Sequence, residues 1–167
     1  MKRRTTAGLS LIEMLIVVAI AGVITVVAIP MTINAVKSYK LSSAVAAATG
    51  AIQSTRYAEI MHGYPGTTAT PYGYQIVFTP ATNSYQVYNM VPPATTFSAV
   101  GEAVPISRIG DVTISRTVTF QFSANGMVTE TSSPPNMVFQ IFAIQNAVGF
   151  SNTITVSTVG SILVSSP

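Results

Sequence analysis

The sequence predicts an α+β fold in which one long amino-terminal helix is followed by a head of antiparallel strands. Apolar residues run almost without interruption from Leu9 to Ile29, and a helical repeat of apolar residues then continues to His62. From Tyr72 onward the apolar period becomes two, which is typical of half-buried strands. A chain of 167 residues is long enough to give such a head a core of its own.

The first part of the helix is predicted to cross a membrane. The 21 residues from Leu9 to Ile29 would rise ~31 Å as a helix, which matches the hydrocarbon thickness of a bilayer. One carboxylate, Glu13, stands inside this apolar segment. Placing a carboxylate in the membrane costs at least ~2.5 kcal/mol. We therefore expect Glu13 to have a partner.

The second part of the helix is predicted to be amphipathic. Pro30 lacks an amide hydrogen and is expected to kink or locally break the helix. Beyond it, apolar residues recur at helical spacing and form a stripe rich in small side chains. The helix is predicted to end at His62, before the turn signals Gly63, Pro65 and Gly66. The residues of the apolar stripe are Leu41, Val45, Ala48 and Ile52.

The rest of the chain reads as short strands joined by turns. A strand from Tyr72 to Thr79 is followed by a turn at Pro80 to Asn83 and a second strand beginning at Tyr85. A strand from 117 to 123 precedes Asn125-Gly126, the strongest hairpin signal of the chain. Residues Pro92 to Gly110 carry few regular signals and are predicted to form an irregular surface loop. The remaining predicted strands are 127–131, 137–145, 153–157 and 161–165.

Charge and composition exclude several classes of site. Only 8% of the residues are charged, against a usual share of about 25%. The formal net charge of +3 comes from Lys2, Arg3 and Arg4, because the rest of the chain has as many acidic as basic residues. Nucleic acid is therefore not an expected partner. No cysteine is present, which excludes disulfides and thiolate metal sites. One aspartate, Asp111, is too few for a convincing calcium site, so neither a metal nor a cofactor is expected.

The amino terminus allows three interpretations. A secretory signal would use Ala19-Ile20-Ala21 as its cleavage site, but the apolar sequence continues past this site and contains Glu13 before it. An uncleaved anchor accounts for the length of the apolar segment and leaves Glu13 unexplained. In either case the basic residues before Gly8 favour a cytoplasmic amino terminus and an exported head.

The third interpretation rests on the order of a basic leader, Gly8, an apolar residue, Ser10-Leu11-Ile12-Glu13-Met14-Leu15 and an unbroken apolar helix. This order resembles the class III leader of type IV pilins and pseudopilins. The resemblance implies cleavage by the prepilin peptidase between Gly8 and Leu9, followed by methylation of the new amino terminus at Leu9. Leu9 replaces the phenylalanine that is usual in the family. Glu13 would be the residue that pairs with the amino terminus of a subunit already in the filament.

The same resemblance implies a pilin-like lollipop fold. Its parts are a leader at 1–8, a membrane-spanning and filament-core helix at 9–29, an amphipathic helix at 30–63 and a β-rich head at 64–167. The implied location is the bacterial inner membrane, crossed once, with the head in the periplasm before assembly. The implied partners are other pilin or pseudopilin subunits, the prepilin peptidase, the inner-membrane assembly platform and the lipid bilayer.

A weaker resemblance concerns the branch of the family. The segments 51–60, 118–126 and 154–162 are similar to the helix end and to two strand-turn-glycine segments of H-type pseudopilins and minor pilins. This favours a minor structural subunit, with a major pilin or a pilus-borne adhesin or DNA-uptake subunit as alternatives. We do not expect an enzyme, since His62 sits at a predicted helix end and no nucleophile or phosphate-binding motif appears.

Overall fold

The computed structural model describes residues 10–62, 73–106, 112–130, 138–143 and 151–166. Its one helix within these ranges, α1, extends from Leu11 to His62 and is followed by nine described strands. The fold class is therefore α+β, as the sequence predicts. By compactness the chain divides into a unit at Met1–Val36 and a unit at Lys37–Pro167.

The part of α1 in the first unit is apolar and exposed. Large apolar side chains from Leu11 to Val36 are all exposed. This part of the helix is long and apolar enough to cross a membrane. The helix continues through Pro30 and does not end there. Pro30 still leaves the carbonyl of Val26 without its usual partner four residues on, so a kink at this position stays a prediction.

The strands of the second unit are all antiparallel and form two sheets. The five-stranded sheet has the order β3-β2-β1-β5-β6, and the four-stranded sheet has the order β4-β7-β8-β9. The strands are β1 (Gly73–Thr79), β2 (Ser84–Met90), β3 (Ser98–Pro105), β4 (Val112–Ile114), β5 (Val118–Phe122), β6 (Val128–Glu130), β7 (Val138–Ala143), β8 (Ser151–Val156) and β9 (Ile162–Ser165).

The core of this unit contains side chains from α1 and from both sheets. The predicted stripe of α1 is buried, and alternate residues of β5 are buried, as a period of two requires. Phe78 of β1 packs edge-on against Phe120 of β5, with ring centroids 6.4 Å apart. The buried core residues are Leu41, Ala44, Val45, Ala48, Ala51, Ile52, Ile76, Phe78, Ile106, Val112, Ile114, Val118, Phe120, Phe122, Val128, Ile154 and Val156.

One prediction for the head is wrong. The segment from Pro92 to Gly110 is not an irregular loop throughout, because it contains β3, which pairs with β2. The ladder between β2 and β3 carries an irregularity opposite Gln86, and Gly101 has a φ of +76° there. The side-chain amide of Gln86 donates to the carbonyl of Gly101 at 3.0 Å. β3 is exposed along its whole length. Because neither face of the strand is buried, its sequence does not alternate between apolar and polar residues.

Candidate functional site

The first turn of α1 places Glu13 against its own backbone. One carboxylate oxygen of Glu13, Oε2, accepts a hydrogen bond from the amide of Ser10 at 2.9 Å. The hydroxyl of Ser10 in turn accepts from the amide of Ile12 at 3.4 Å. Together these bonds form a capping box, in which the serine and the glutamate satisfy amides that the first turn leaves without partners. A carboxylate in the first turn also interacts favourably with the helix dipole.

The other polar side chains of this segment are satisfied in the same way. Thr25 donates its hydroxyl hydrogen to the carbonyl of Ala21 at 2.7 Å, and Thr32 donates to the carbonyl of Ala28 at 2.9 Å. Every polar side chain between residues 10 and 32 therefore has a partner on the helix's own backbone. A helix in lipid needs this arrangement, because hydrocarbon offers no partners to polar groups.

The predicted cleavage and methylation sites, Gly8 and Leu9, lie outside the described residues. The structure thus tests neither site. The described helix begins at Leu11, and Ser10 is the residue that caps it.

In the second unit, Arg56 of α1 joins two glycine turns. Its Nε donates to the carbonyl of Gly126 at 3.0 Å, its Nη1 to the carbonyl of Gly160 at 3.1 Å and its Nη2 to the carbonyl of Val159 at 3.1 Å. Gly126 lies between β5 and β6 of one sheet, and Gly160 between β8 and β9 of the other. One guanidinium group therefore connects the helix to both sheets, using the several donors that only arginine carries in a fixed plane.

The two turns have the same geometry. The amide of Gly126 donates to the carbonyl of Ser123 at 2.7 Å, and the amide of Gly160 donates to the carbonyl of Ser157 at 2.8 Å. Both glycines have positive φ, +74° and +79°. This is the three-residue hairpin loop that places a left-handed residue, usually glycine, after a type I turn. A further bond, from the amide of Val128 to the carbonyl of Thr158 at 2.8 Å, ties the two hairpins together.

Space is also limited at both glycines, most of all at Gly160. A Cβ at Gly160 would lie 2.8 Å from Cζ of Arg56 and 2.9 Å from the carbonyl oxygen of Gly126. A Cβ at Gly126 would lie 3.0 Å from Nε of Arg56 and 3.0 Å from Cδ1 of Ile60. The approach of the Gly160 turn thus depends on the absence of a side chain, whereas at Gly126 the contacting atoms all belong to side chains.

One turn further along α1, Glu59 is completely buried. Its Oε2 accepts a hydrogen bond from the amide of Tyr74 at 2.7 Å, and a Cβ at Gly73 would lie at 2.7 Å from the same oxygen. Among the described residues its Oε1 has no hydrogen-bond partner. Burial raises the pKa of Glu59 above its ordinary value, and the Tyr74 amide opposes this shift by favouring the charged form.

Three features of this arrangement escaped the sequence analysis, although two of them carry a signal. Ser10 and Glu13 match the spacing of a capping box. Glu59 continues the apolar stripe of α1, seven residues after Ile52, and so occupies a core position. The role of Arg56 has no local signal, because its partners lie 70 and 104 residues away in sequence.

The structure brings together the three segments 51–60, 118–126 and 154–162. Arg56 belongs to the first of them, Gly126 to the second and Gly160 to the third. In a comparison with known proteins, no family model, curated protein or solved structure matches this chain.

Proposed function

We propose that this chain is a structural subunit of a type IV pilus or of a type II secretion pseudopilus. The prepilin peptidase would cleave it after Gly8, and methylation would modify Leu9. The segment up to Ile29 would hold the subunit in the inner membrane and would later pack among the helices of a filament. Glu13 would pair with the amino terminus of a neighbouring subunit during assembly.

The observation that carries the proposal is the state of the polar groups in the exposed apolar part of α1. Glu13, Thr25 and Thr32 all bond to the helix's own backbone while the large apolar side chains around them are exposed. Such a helix suits lipid, where unsatisfied polar groups are costly. In a plain anchor this carboxylate would serve only as a helix cap, whereas in a pilin-type subunit it would also pair with the amine of its neighbour, which offsets the cost of a charge in lipid.

The head supports a place in the H-type, minor branch. Its motif segments meet at Arg56, so the residues that carry the resemblance form one arrangement and are not scattered over the surface. We propose a structural role without catalysis for this head, with other pilin-type subunits and the assembly platform as its partners and the periplasm as its location before assembly.

The mass of the mature protein tests the proposal. Membranes of a host that carries a prepilin peptidase should yield a chain that begins at Leu9 and carries one added methyl group. A host without the peptidase provides the control and should yield the uncleaved chain. A mature chain that begins at Gly22, after Ala19-Ile20-Ala21, would show a secretory signal instead, and an intact Met1 in both hosts would show a plain anchor.

A further inference from the structure

The cation of Arg56 lies among exposed apolar side chains. Its three described partners are neutral carbonyl oxygens, so these bonds leave its charge uncompensated. Around it, Ile60 on α1, Met127 after the first glycine turn and Val159 in the second are exposed, the last at 63%. We call Arg56 and these three residues the Arg56 patch. A half-buried guanidinium surrounded by apolar side chains can bind a carboxylate that itself has apolar side chains beside it.

The edge strand β3 presents such a carboxylate. Glu102 is exposed on β3, and Val100 and Val104 on either side of it are exposed at 44% and 43%. We call these three residues the Glu102 ridge. The other carboxylates of the described side chains are engaged, since Glu13 bonds to Ser10 and Glu59 to Tyr74.

The Arg56 patch and the Glu102 ridge lie at opposite edges of the five-stranded sheet. β3 is one edge of that sheet, and the turn at Gly126 joins β5 to β6 at the other edge. With ~4.8 Å between neighbouring strands, β3 lies roughly 14 Å from β5 and roughly 19 Å from β6. The two surfaces of one chain therefore cannot meet each other, but the ridge of one chain can meet the patch of the next.

We propose that the Glu102 ridge of one copy of this chain docks on the Arg56 patch of a second copy, with Glu102 and Arg56 paired. Since the two surfaces differ, the contact is heterologous and leaves a free patch at one end and a free ridge at the other. Contacts of this kind propagate into open helical filaments unless the rotation closes a ring. The inference rests on the proposed function only for the filament context, and of the subunit types considered it fits the alternative of a major pilin, because a repeated self-contact needs many copies of one chain.

Cysteine cross-linking of the full chain in detergent tests this contact cleanly, because the chain has no cysteine of its own. One preparation carries Val159→Cys and a second, distinguished by a mass tag, carries Val104→Cys. A short thiol-to-thiol reagent should link the two chains. In the control the second preparation carries Ala81→Cys, an exposed turn position outside both surfaces.

The charge pair is tested by adding Glu102→Gln to the Val104→Cys chain. Glu102 is exposed, so the substitution leaves the fold intact, whereas Arg56 is left unchanged because it holds the glycine turns. The yield of mixed dimer should fall about fivefold, as expected for the loss of one partly exposed ion pair. Salt at ~1 M, where the Debye length is about 3 Å, should lower the yield of the parent pair and not that of the Gln variant.

A mixed-dimer yield no higher than that of the Ala81→Cys control would overturn the inference, as would a yield that Glu102→Gln does not change. A patch that serves a different protein would give the first of these results. The mass of the mature chain is independent of this outcome. A chain cleaved after Gly8 that gives no cross-link would refute the self-contact alone, and a cross-linked chain without cleavage would refute the proposed function alone.

Discussion

Each of the two parts of α1 has one carboxylate that accepts a hydrogen bond from a backbone amide, and the two bonds have different roles. The amide nitrogen that donates to Glu13 lies 2.9 Å from the carboxylate oxygen, and the one that donates to Glu59 lies at 2.7 Å. Glu13 stands among exposed apolar side chains and bonds within its own turn, to Ser10. Glu59 is buried in a core and bonds to Tyr74, which is distant in sequence.

The difference teaches what each part of the helix requires. A segment that is to sit in lipid must satisfy its polar groups locally, because no other element is at hand. A segment that packs on sheets can use a polar side chain to bind a distant backbone, as both Glu59 and Arg56 do. The first part of the helix therefore keeps its polar groups on its own backbone, and the second part uses them to bind other elements of the fold.

The largest effect is expected at Glu13, where capping and charge can be separated. Glu13→Ala should leave cleavage and membrane insertion intact and abolish incorporation into sheared filaments, because the neighbour's amine loses its carboxylate. Glu13→Gln keeps an acceptor for the Ser10 amide, since glutamine also serves in a capping box. If charge pairing is the function, the Gln variant fails to assemble as well. Normal incorporation of the Gln variant would reduce Glu13 to a helix cap.

The second-largest effect is expected at Gly160, beside Arg56, and Gly101 serves as a comparison of nearly equal φ. Gly160 has a φ of +79° and Gly101 one of +76°, but only a Cβ at Gly160 meets other atoms within 4 Å. Gly101→Ala should cost about 1 kcal/mol of unfolding free energy, the strain of a left-handed residue. Gly160→Ala should cost about 2 to 4 kcal/mol, because overpacking against Arg56 adds to that strain. Denaturant unfolding of the full chain measures both, and equal losses would contradict a tightly packed Arg56.

The sequence predicts elements whose signal is local. The repeat from Leu41 to Ile52 and the alternation of Val118, Phe120 and Phe122 both report burial of one face, and all these core positions are buried. The hairpin at Asn125-Gly126 was likewise predicted, because the positive φ of Gly126 favours glycine at that position.

Features that depend on distant partners could not be read in this way. β3 lacks alternation because neither of its faces is buried, and its pairing is set by β2. The division of the strands into two sheets depends on long-range pairing, and the short strand β4 was not predicted at all. Arg56 gave no signal on the helix, because its role exists only once two turns have folded against it.

The smallest effect concerns Glu59 and the pH dependence of stability. Its pKa in the folded chain lies above the ordinary 4.5, so the folded state keeps the proton to a higher pH than the unfolded state does. Between those two pKa values the folded state binds more protons, and the free energy of unfolding must fall as the pH rises. Above the raised pKa this contribution is constant.

Glu59→Gln removes the titrating group and should flatten the decline that begins near pH 4.5. The measurement is the denaturant midpoint of the full chain at a series of pH values, and the slope is compared between variants because the buried amide also changes the absolute stability. Glu102→Gln is the matched control, since Glu102 is exposed and its replacement should keep the parent's slope. Equal slopes for the parent and Glu59→Gln would mean that the carboxyl is not penalised by burial. A flatter slope for Glu59→Gln alone would place the pH sensitivity in the packed part of α1, at the carboxylate committed to Tyr74.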